Sequence, residues 1–142
     1  MRIVQDTNVF VAALRSGAGA SRKLLLALLH GRHLPLMGDK LWYEHMDVAG
    51  RANRTWNKCP LSPAERRQAV EDFAAVCEWV RVWRVWRPNL PDADDNHVME
   101  LAIVGNAAAI VTYNASDYKG AMFAPPGCEI TPPGTFLHTY PL

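Results

Sequence analysis

Short apolar runs alternate with amphipathic stretches along this chain. An apolar run of about four to eight residues bounded by Gly, Pro or Asp is typical of a buried strand, whereas apolar residues three and four apart indicate a helix with one packed face. Strands are therefore predicted at residues 2–5, 33–37, 82–86, 107–112 and 129–131. Helices are predicted at residues 21–29, 40–52, 63–79 and 92–105, and a last short helix begins near Phe136.

Some helix ends carry their own local signals. Ser62-Pro63-Ala64-Glu65 is a capping box with proline at the first helical position, so a helix is predicted to begin there. Ser21 is expected to cap the 21–29 helix and Gly31 to end it. The segment after Asp6 is interpreted as a loop, because turn-forming residues follow at 16–20.

Strands that alternate with helices predict an α/β fold, a three-layer α/β/α sandwich with a mainly parallel sheet. The 142 residues suit one domain and contain no long linker, so a single domain over residues 1–142 is expected. The longest apolar run, residues 24–29, is far shorter than the roughly 20 residues of a membrane helix. Three cysteines without a C-x-x-C pair favour a reducing, cytoplasmic location and argue against a disulfide framework or a zinc site.

The net charge of +1 hides an uneven distribution. Residues 1–87 contain 14 of the 15 Lys and Arg residues and 8 of the 14 acids, so they carry +6. Residues 88–142 contain one Lys and six acids and carry −5. A basic part beside an acidic part suits a polyanion held at a metal-loaded acidic site. It is equally compatible with a solvated surface of mixed charge, so both interpretations stay open.

Acidic and amide side chains follow two of the predicted strands. Asp6 comes directly after the first strand, and Asn114 and Asp117 follow the fourth. Asp94 and Asp95 lie in the first turn of a predicted helix. Because ligands of open α/β sheets bind beyond the carboxyl ends of the strands, we expect these side chains at one edge. For Asp94 and Asp95 the alternative is that they cap the helix and complement its dipole.

Glu44 lies on the apolar face of the predicted 40–52 helix, three residues after Leu41 and four before Val48. A carboxylate on such a face is costly unless it is paired or bound to a metal. The alternatives are an ion pair with Arg51 or a position at the edge of the apolar stripe.

These positions support the hypothesis that Asp6, Glu44, Asp94 or Asp95, and Asp117 converge. Carboxylates packed together repel one another, and a divalent cation relieves that repulsion. Hard oxygen ligands without a His and Cys pattern favour Mg²⁺ or Mn²⁺ over zinc. A metal site of this kind activates water and carries out phosphoryl chemistry.

Several segments keep the order and spacing of a known family. They are Asp6-Thr7-Asn8 after a short strand, Glu44 on a helix, Asp94-Asp95 opening a later helix, residues 110–118, and the tail at residues 130–137. This ordered set covers nearly the whole chain. It resembles the PIN domain, most closely the bacterial toxin-antitoxin branch of VapC-like toxins.

The resemblance implies a metal-dependent endoribonuclease that cuts single-stranded RNA, is usually a homodimer and is held inactive by a small antitoxin. Metal ligands are implied at Asp6, Glu44, Asp95 and Asp117, with Asp95 preferred to Asp94. Side chains that orient ligands or water are implied at Thr7, Asn8, Thr112 and Asn114. The sequence departs from the family pattern at Gln5, where an apolar residue is usual, and at Tyr113, where Gly or Arg is common.

Other residues carry weaker signals. Four basic residues are candidate contacts to an RNA backbone: Arg15, Arg22, Lys23 and Arg54. Three tryptophans are interpreted as core or dimer-interface packing rather than base stacking: Trp79, Trp83 and Trp86. His97 is interpreted as a solvated histidine rather than a base, and no role is predicted for His45.

Two other functions were weighed against the nuclease. A non-catalytic nucleic-acid-binding regulatory relative would keep the fold, but acids at all four positions argue against it. A Rossmann-like nucleotide-binding enzyme would need a glycine fingerprint, and Gly17-x-Gly19 lacks the third glycine.

Overall fold

The computed structural model describes residues 1–83, 89–90 and 92–142. Its strands are β1 (Arg2–Gln5), β2 (Leu34–Met37), β3 (Glu78–Trp79), β4 (Ala109–Val111) and β5 (Glu129–Thr131). Its helices are α1 (Thr7–Arg15), α2 (Ala20–Leu29), α3 (Asp39–Ala49), α4 (Pro63–Val76), α5 (Asn96–Val104) and α6 (Pro133–Thr139). Short 3-10 helices lie at Arg54–Trp56, Ala93–Asp95 and Ala115–Tyr118.

Within the described residues, five strands form one parallel sheet in the order β3-β2-β1-β4-β5. Helices flank this sheet, so the predicted α/β fold with a parallel sheet is confirmed. β1 and β4 pair at the centre, with Ile3 opposite Ala109 and Val4 opposite Ile110. All four side chains are fully buried, as expected for parallel strands covered on both faces. No helix in the described ranges is long and apolar enough to cross a membrane.

The segment after Asp6 is a helix, so its interpretation as a loop was wrong. The Asp6 carboxylate accepts a hydrogen bond from the Thr7 N–H at 2.8 Å and caps α1, because its side chain satisfies an N–H that the first turn leaves unpaired. Val9, Phe10 and the two buried residues one turn later pack the helix on the core. The turn-forming residues at 16–20 separate α1 from α2.

Ser21 does not cap α2, which begins at Ala20 after Gly19. Ser21 is instead the second residue of the helix. Its side chain is buried, and its Oγ lies 2.6 Å from the Tyr113 hydroxyl oxygen. The other end agrees with prediction: the chain leaves α2 through Gly31 at φ +79°, a conformation that favours glycine.

The predicted capping box at the start of α4 is confirmed. Ser62 Oγ accepts from the Glu65 N–H at 3.1 Å, and the Ser62 N–H donates to Glu65 Oε1 at 2.9 Å. The helix ends at Val76 rather than residue 79, because Glu78–Trp79 pairs with β2 as an edge strand.

Three further predictions need correction. The 82–86 strand is wrong at Val82 and Trp83, which lie outside the strands, while residues 84–86 lie outside the described part of the chain. Trp79 and Trp83 are 48% and 71% exposed, so neither packs in the core; Trp86 is not described. The predicted 92–105 helix is divided into a 3-10 turn and α5.

Candidate active site

Asp6 lies at the carboxyl end of β1, and its carboxylate is held by three donors. Its backbone N–H donates to the Val111 carbonyl at 2.9 Å, which joins it to β4. Oδ2 accepts from the hydroxyls of Thr112 at 2.9 Å and Tyr118 at 2.8 Å, while Oδ1 caps α1. The side chain is nearly buried, so these bonds fix its orientation.

Tyr118 was missed by the sequence analysis. Burial raises the pKa of its phenol, and the charge of Asp6 raises it further, so the hydroxyl remains a donor. The only signal in the sequence is an aromatic residue that directly follows Asp117.

Glu44 projects from α3 and meets two donors. The Thr7 hydroxyl donates to Oε1, and His97 Nε2 lies 3.0 Å from Oε2. Burial alone would raise the pKa of Glu44, but the hydrogen bonds from His97 and Thr7 outweigh it and lower the pKa. Glu44 is therefore held as a carboxylate in a fixed position. The alternative partner, Arg51, instead pairs with Asp47 one turn earlier on α3.

His97 is not a solvated histidine. Its side chain is only 13% exposed, and it reaches from the first turn of α5 to Glu44 on α3. Its second ring nitrogen, Nδ1, is buried and has no hydrogen-bond partner among the described residues.

His45 packs behind Thr7. Its Nδ1 lies 3.0 Å from the Thr7 hydroxyl oxygen, and its ring stacks on Phe73 and tilts against Phe10. Complete burial lowers the pKa of His45 to about 4, so the imidazole is neutral at pH 7. The ring thus supports the residue that orients Glu44, a role that its position on the apolar face of α3 did not reveal.

A second network ties the segment after β4 to α1. Asn8 Nδ2 donates to Thr112 Oγ1 at 3.4 Å, and the Tyr113 N–H donates to Asn8 Oδ1 at 3.2 Å. Asn114 takes part through its backbone N–H, which donates to Thr112 Oγ1 at 3.0 Å. Thr112 therefore connects Asp6 with both segments.

Asp95 joins the same edge from the 3-10 turn before α5. Burial, and after it the negative charges of Asp92, Asp117, Asp6 and Glu44, together raise the pKa of Asp95 to about 6. Asp6, Glu44 and Asp117 are therefore all close enough to Asp95 to act on it electrostatically. Asp117 itself is exposed in the 3-10 helix after β4.

Neither Asp94 nor Asp95 caps a helix with its side chain. The cap belongs to Asp92, whose Oδ1 accepts from the Asp94 N–H at 2.9 Å. Asp94 is exposed, whereas Asp95 is partly buried. The two neighbours thus have different surroundings.

The four basic candidates lie on the surface or at helix contacts. Arg15, Lys23 and Arg54 are exposed. Arg22 is half-buried, and its Nε donates to the Ala13 carbonyl at 2.5 Å, which joins α2 to α1. Across the described ranges, none of the four hydrogen-bonds to the clustered acids.

The carboxylate oxygens are ligands of the kind that a hard divalent cation prefers. In residues 1–83, 89–90 and 92–142, no three His, Cys, Asp or Glu side chains lie close enough to hold a metal ion together. The donors are nevertheless oxygens on one sheet edge, and the repulsion that raises the pKa of Asp95 is of the kind a cation relieves. The chemistry of these residues therefore fits Mg²⁺ or Mn²⁺, while their spacing in the described part of the chain does not form a closed metal site.

Comparisons with known proteins agree with this architecture. The PIN domain family matches residues 2–116, and Asp117 is the first residue beyond that range. A chain in the crystal structure of VapBC2 from Rickettsia felis, bound to a DNA fragment from their promoter, aligns with a TM-score of 0.63. It is 14% identical and the alignment covers 92% of this chain and 97% of that chain, a likeness that shows a shared fold alone. A comparison with curated proteins gave no significant match. Since the family match spans most of the sequence, the chain belongs to the PIN domain family.

Proposed function

We propose that this protein is a metal-dependent endoribonuclease that hydrolyses phosphodiester bonds in single-stranded RNA. The observation that carries the proposal is the approach of four acids from four distant segments, in which Asp117, Asp6 and Glu44 are near enough for their charges to act on Asp95. Acids that repel one another destabilise a fold, and a catalytic cation is a reason to keep them. PIN domains are typically nucleases, which agrees with this interpretation.

The cation would be Mg²⁺ or Mn²⁺, held by Asp6, Glu44, Asp95 and Asp117. When bound, such an ion activates water and neutralises charge on the reacting phosphoryl group. The remaining side chains orient these ligands. Thr112 and Tyr118 hold Asp6 through its Oδ2, and Thr7 and His97 hold Glu44 through its two oxygens.

We further propose that the nuclease, a single domain over residues 1–142, is the toxin of a toxin-antitoxin pair, acts as a homodimer and is held inactive by a small antitoxin protein. The fold shared with a chain of VapBC2 supports this part of the proposal. Co-expression with the protein encoded beside it, followed by purification and a cleavage assay, tests the pairing. Loss of cleavage in a stable complex supports it, and cleavage at the full rate in the complex contradicts it.

The central experiment measures cleavage of a short labelled single-stranded RNA in Mn²⁺ and in EDTA. We expect cleavage only with metal, and loss of at least about hundredfold in Asp117→Asn because one ligand charge is removed. Asp47→Asn is the matched control, since Asp47 is also an exposed aspartate but pairs with Arg51 and is not among the acids whose charge acts on Asp95. Cleavage that persists in EDTA, or products that end in a 2′,3′-cyclic phosphate, would contradict the metal mechanism.

A further inference from the structure

A pocket of about 250 Å³ adjoins the clustered acids between α3 and α5. His97 forms part of its lining and also lies 3.0 Å from Glu44, so one side chain borders both the pocket and the candidate active site. Beyond the sheet edge, the segment after β3 closes another side through Val80 and Val82.

The walls of the pocket are mainly apolar. Leu41 on α3 and Leu101 on α5 are both about 1% exposed, and they line it together with Val80 and Val82. Sites for drug-sized ligands span roughly 300–1,000 Å³, so a pocket of this volume suits a single flat ring system.

Charged groups line the pocket at two depths. Lys40, Arg81 and Asp39 line it from exposed positions, so the mouth carries two positive charges and one negative charge, whereas Glu100 lines it from a buried position, 1% exposed. A buried carboxylate only accepts hydrogen bonds, so it disfavours a bare phosphate inside the pocket. The exposed cations instead suit a phosphate that stays at the mouth.

We infer that this pocket holds one base of the RNA strand beside the bond that is cut, with the adjoining phosphate near Lys40 and Arg81. The inference rests on the proposed nuclease function, because it names how that site binds its substrate. Single-stranded RNA is usually recognised through bases that stack on aromatic rings or Arg guanidinium planes and phosphates that meet surface cations, and His97 and Arg81 both line this pocket.

The test measures the affinity of the protein for short labelled RNAs in the presence of Mn²⁺. It uses the Asp117→Asn variant, because this substitution is expected to prevent cleavage. Each RNA carries an abasic nucleotide at a different position. We expect one position to cost about tenfold in affinity, the effect of losing one bound base. A scan without any sensitive position overturns the inference and leaves the pocket to another occupant, such as an apolar side chain of a partner protein.

Val82→Trp places an indole at the pocket wall and is compared with Val76→Trp. Both valines are 37% exposed, but Val76 lies on α4 and does not line the pocket. We expect Val82→Trp to weaken binding of intact RNA about tenfold and to abolish the abasic effect, while Val76→Trp binds as its parent does. Parental affinity in Val82→Trp, or an abasic effect that persists in it, overturns the inference.

Lys40→Gln tests separately whether a phosphate binds at the mouth of the pocket. Because Lys40 is exposed, the substitution leaves the core unchanged. It should weaken intact and abasic RNAs by the same factor and reduce the salt dependence of binding, whereas Lys58→Gln, at an exposed position outside the lining, should do neither. An unchanged salt dependence in Lys40→Gln overturns the placement of the phosphate.

Cleavage assays distinguish failure of the pocket from failure of the proposed function. If the protein with an intact Asp117 cleaves RNA only with Mn²⁺ but the abasic scan is flat, the nuclease stands and the pocket inference fails. If no RNA is cleaved with metal yet one abasic position weakens binding, the base pocket stands and the nuclease proposal fails.

Discussion

Two clusters of charged side chains involve α3, and their electrostatics are opposite. One lies at the C-terminal end of the helix, and the other lies around Glu44 at the sheet edge. At the end of the helix, the buried guanidinium of Arg66 donates to the carbonyl oxygens of Ala49, Leu61 and Arg51 at 2.7, 2.8 and 2.9 Å. It also lies 4.5 Å from the centre of the Trp56 ring. Every partner is neutral, and carbonyls at a helix C-terminus favour a cation.

At the sheet edge, Glu44 on the same helix is one of the acids whose charge acts on Asp95. Thr7 and His97 donate to Glu44, whereas burial and the charges of nearby acids raise the pKa of Asp95 to about 6. The Arg66 cluster is satisfied by neutral groups of the folded chain itself, whereas the acidic cluster keeps a repulsion on Asp95 that the folded chain does not offset, as is common at functional sites.

Removing the arginine should give the largest effect on stability. Arg66→Met deletes three hydrogen bonds and leaves buried carbonyls unpaired, so we expect a loss of about 3 kcal/mol in the free energy of unfolding. Urea denaturation measures it, with Arg67→Met, at an exposed neighbour, as the control expected to change by less than about 0.5 kcal/mol. Equal losses in the two variants would show that Arg66 is not the structural centre of its cluster.

Removing a charge from the acidic cluster should instead affect catalysis. Glu44→Gln keeps the shape of the side chain but removes the carboxylate, so we expect RNA cleavage to fall at least about hundredfold while the protein still folds. Circular dichroism and the cleavage assay are run on one sample. A variant that fails to fold, but whose soluble fraction cleaves at the wild-type rate, would make Glu44 a structural ion-pair partner of His97.

Patterns that are local in sequence predicted most of the fold. The capping box at Ser62, the stop at Gly31 and the central strands all depend on neighbouring residues, and each agrees with the structure. Two elements could not be predicted this way. Helix α1 was not predicted, because Asp6 was interpreted only as a candidate site acid although it also caps the helix. Strand β3 was not predicted, because it has only two residues and its strand character comes from pairing with β2.

The site shows the same limit. Positions of acids after strands indicated the right sheet edge, because the carboxyl ends of parallel strands meet there. The partners of those acids could not be predicted, since His97 reaches Glu44 across 53 residues and Tyr118 reaches Asp6 across 112. The roles of the acids as metal ligands stay predictions.

The repulsion among the acids predicts a stabilising substitution. Asp95→Asn removes one charge, and without metal it should raise the free energy of unfolding at pH 7 by about 1 kcal/mol, a value limited by solvent screening of this partly exposed side chain. Millimolar Mg²⁺ should raise the melting temperature of the wild type more than that of the variant, because metal binds only the folded site. Equal metal shifts would mean that Asp95 is not a ligand.

The pH dependence of this effect has a definite sign. The folded protein keeps a proton on Asp95 up to about pH 6, whereas the unfolded chain loses it near 3.8. The stability of the wild type without metal should therefore decline between these values and level off above them. The advantage of Asp95→Asn should grow over the same interval and vanish below about pH 4. A constant advantage across that range would contradict the assignment to Asp95.

The smallest effect is expected one residue earlier. Asp94 is exposed and the cap at this turn comes from Asp92, so Asp94→Asn should change the free energy of unfolding by less than about 0.5 kcal/mol and leave cleavage within about twofold. Because it removes the same charge from the same short 3-10 helix, it is the matched control for Asp95→Asn, which should lose cleavage. Both variants are measured side by side for cleavage in Mn²⁺ and for unfolding without metal. If Asp94→Asn were inactive and Asp95→Asn active, the acidic cluster would be assigned one residue out of register, and the stabilising substitution would have to be sought at Asp94.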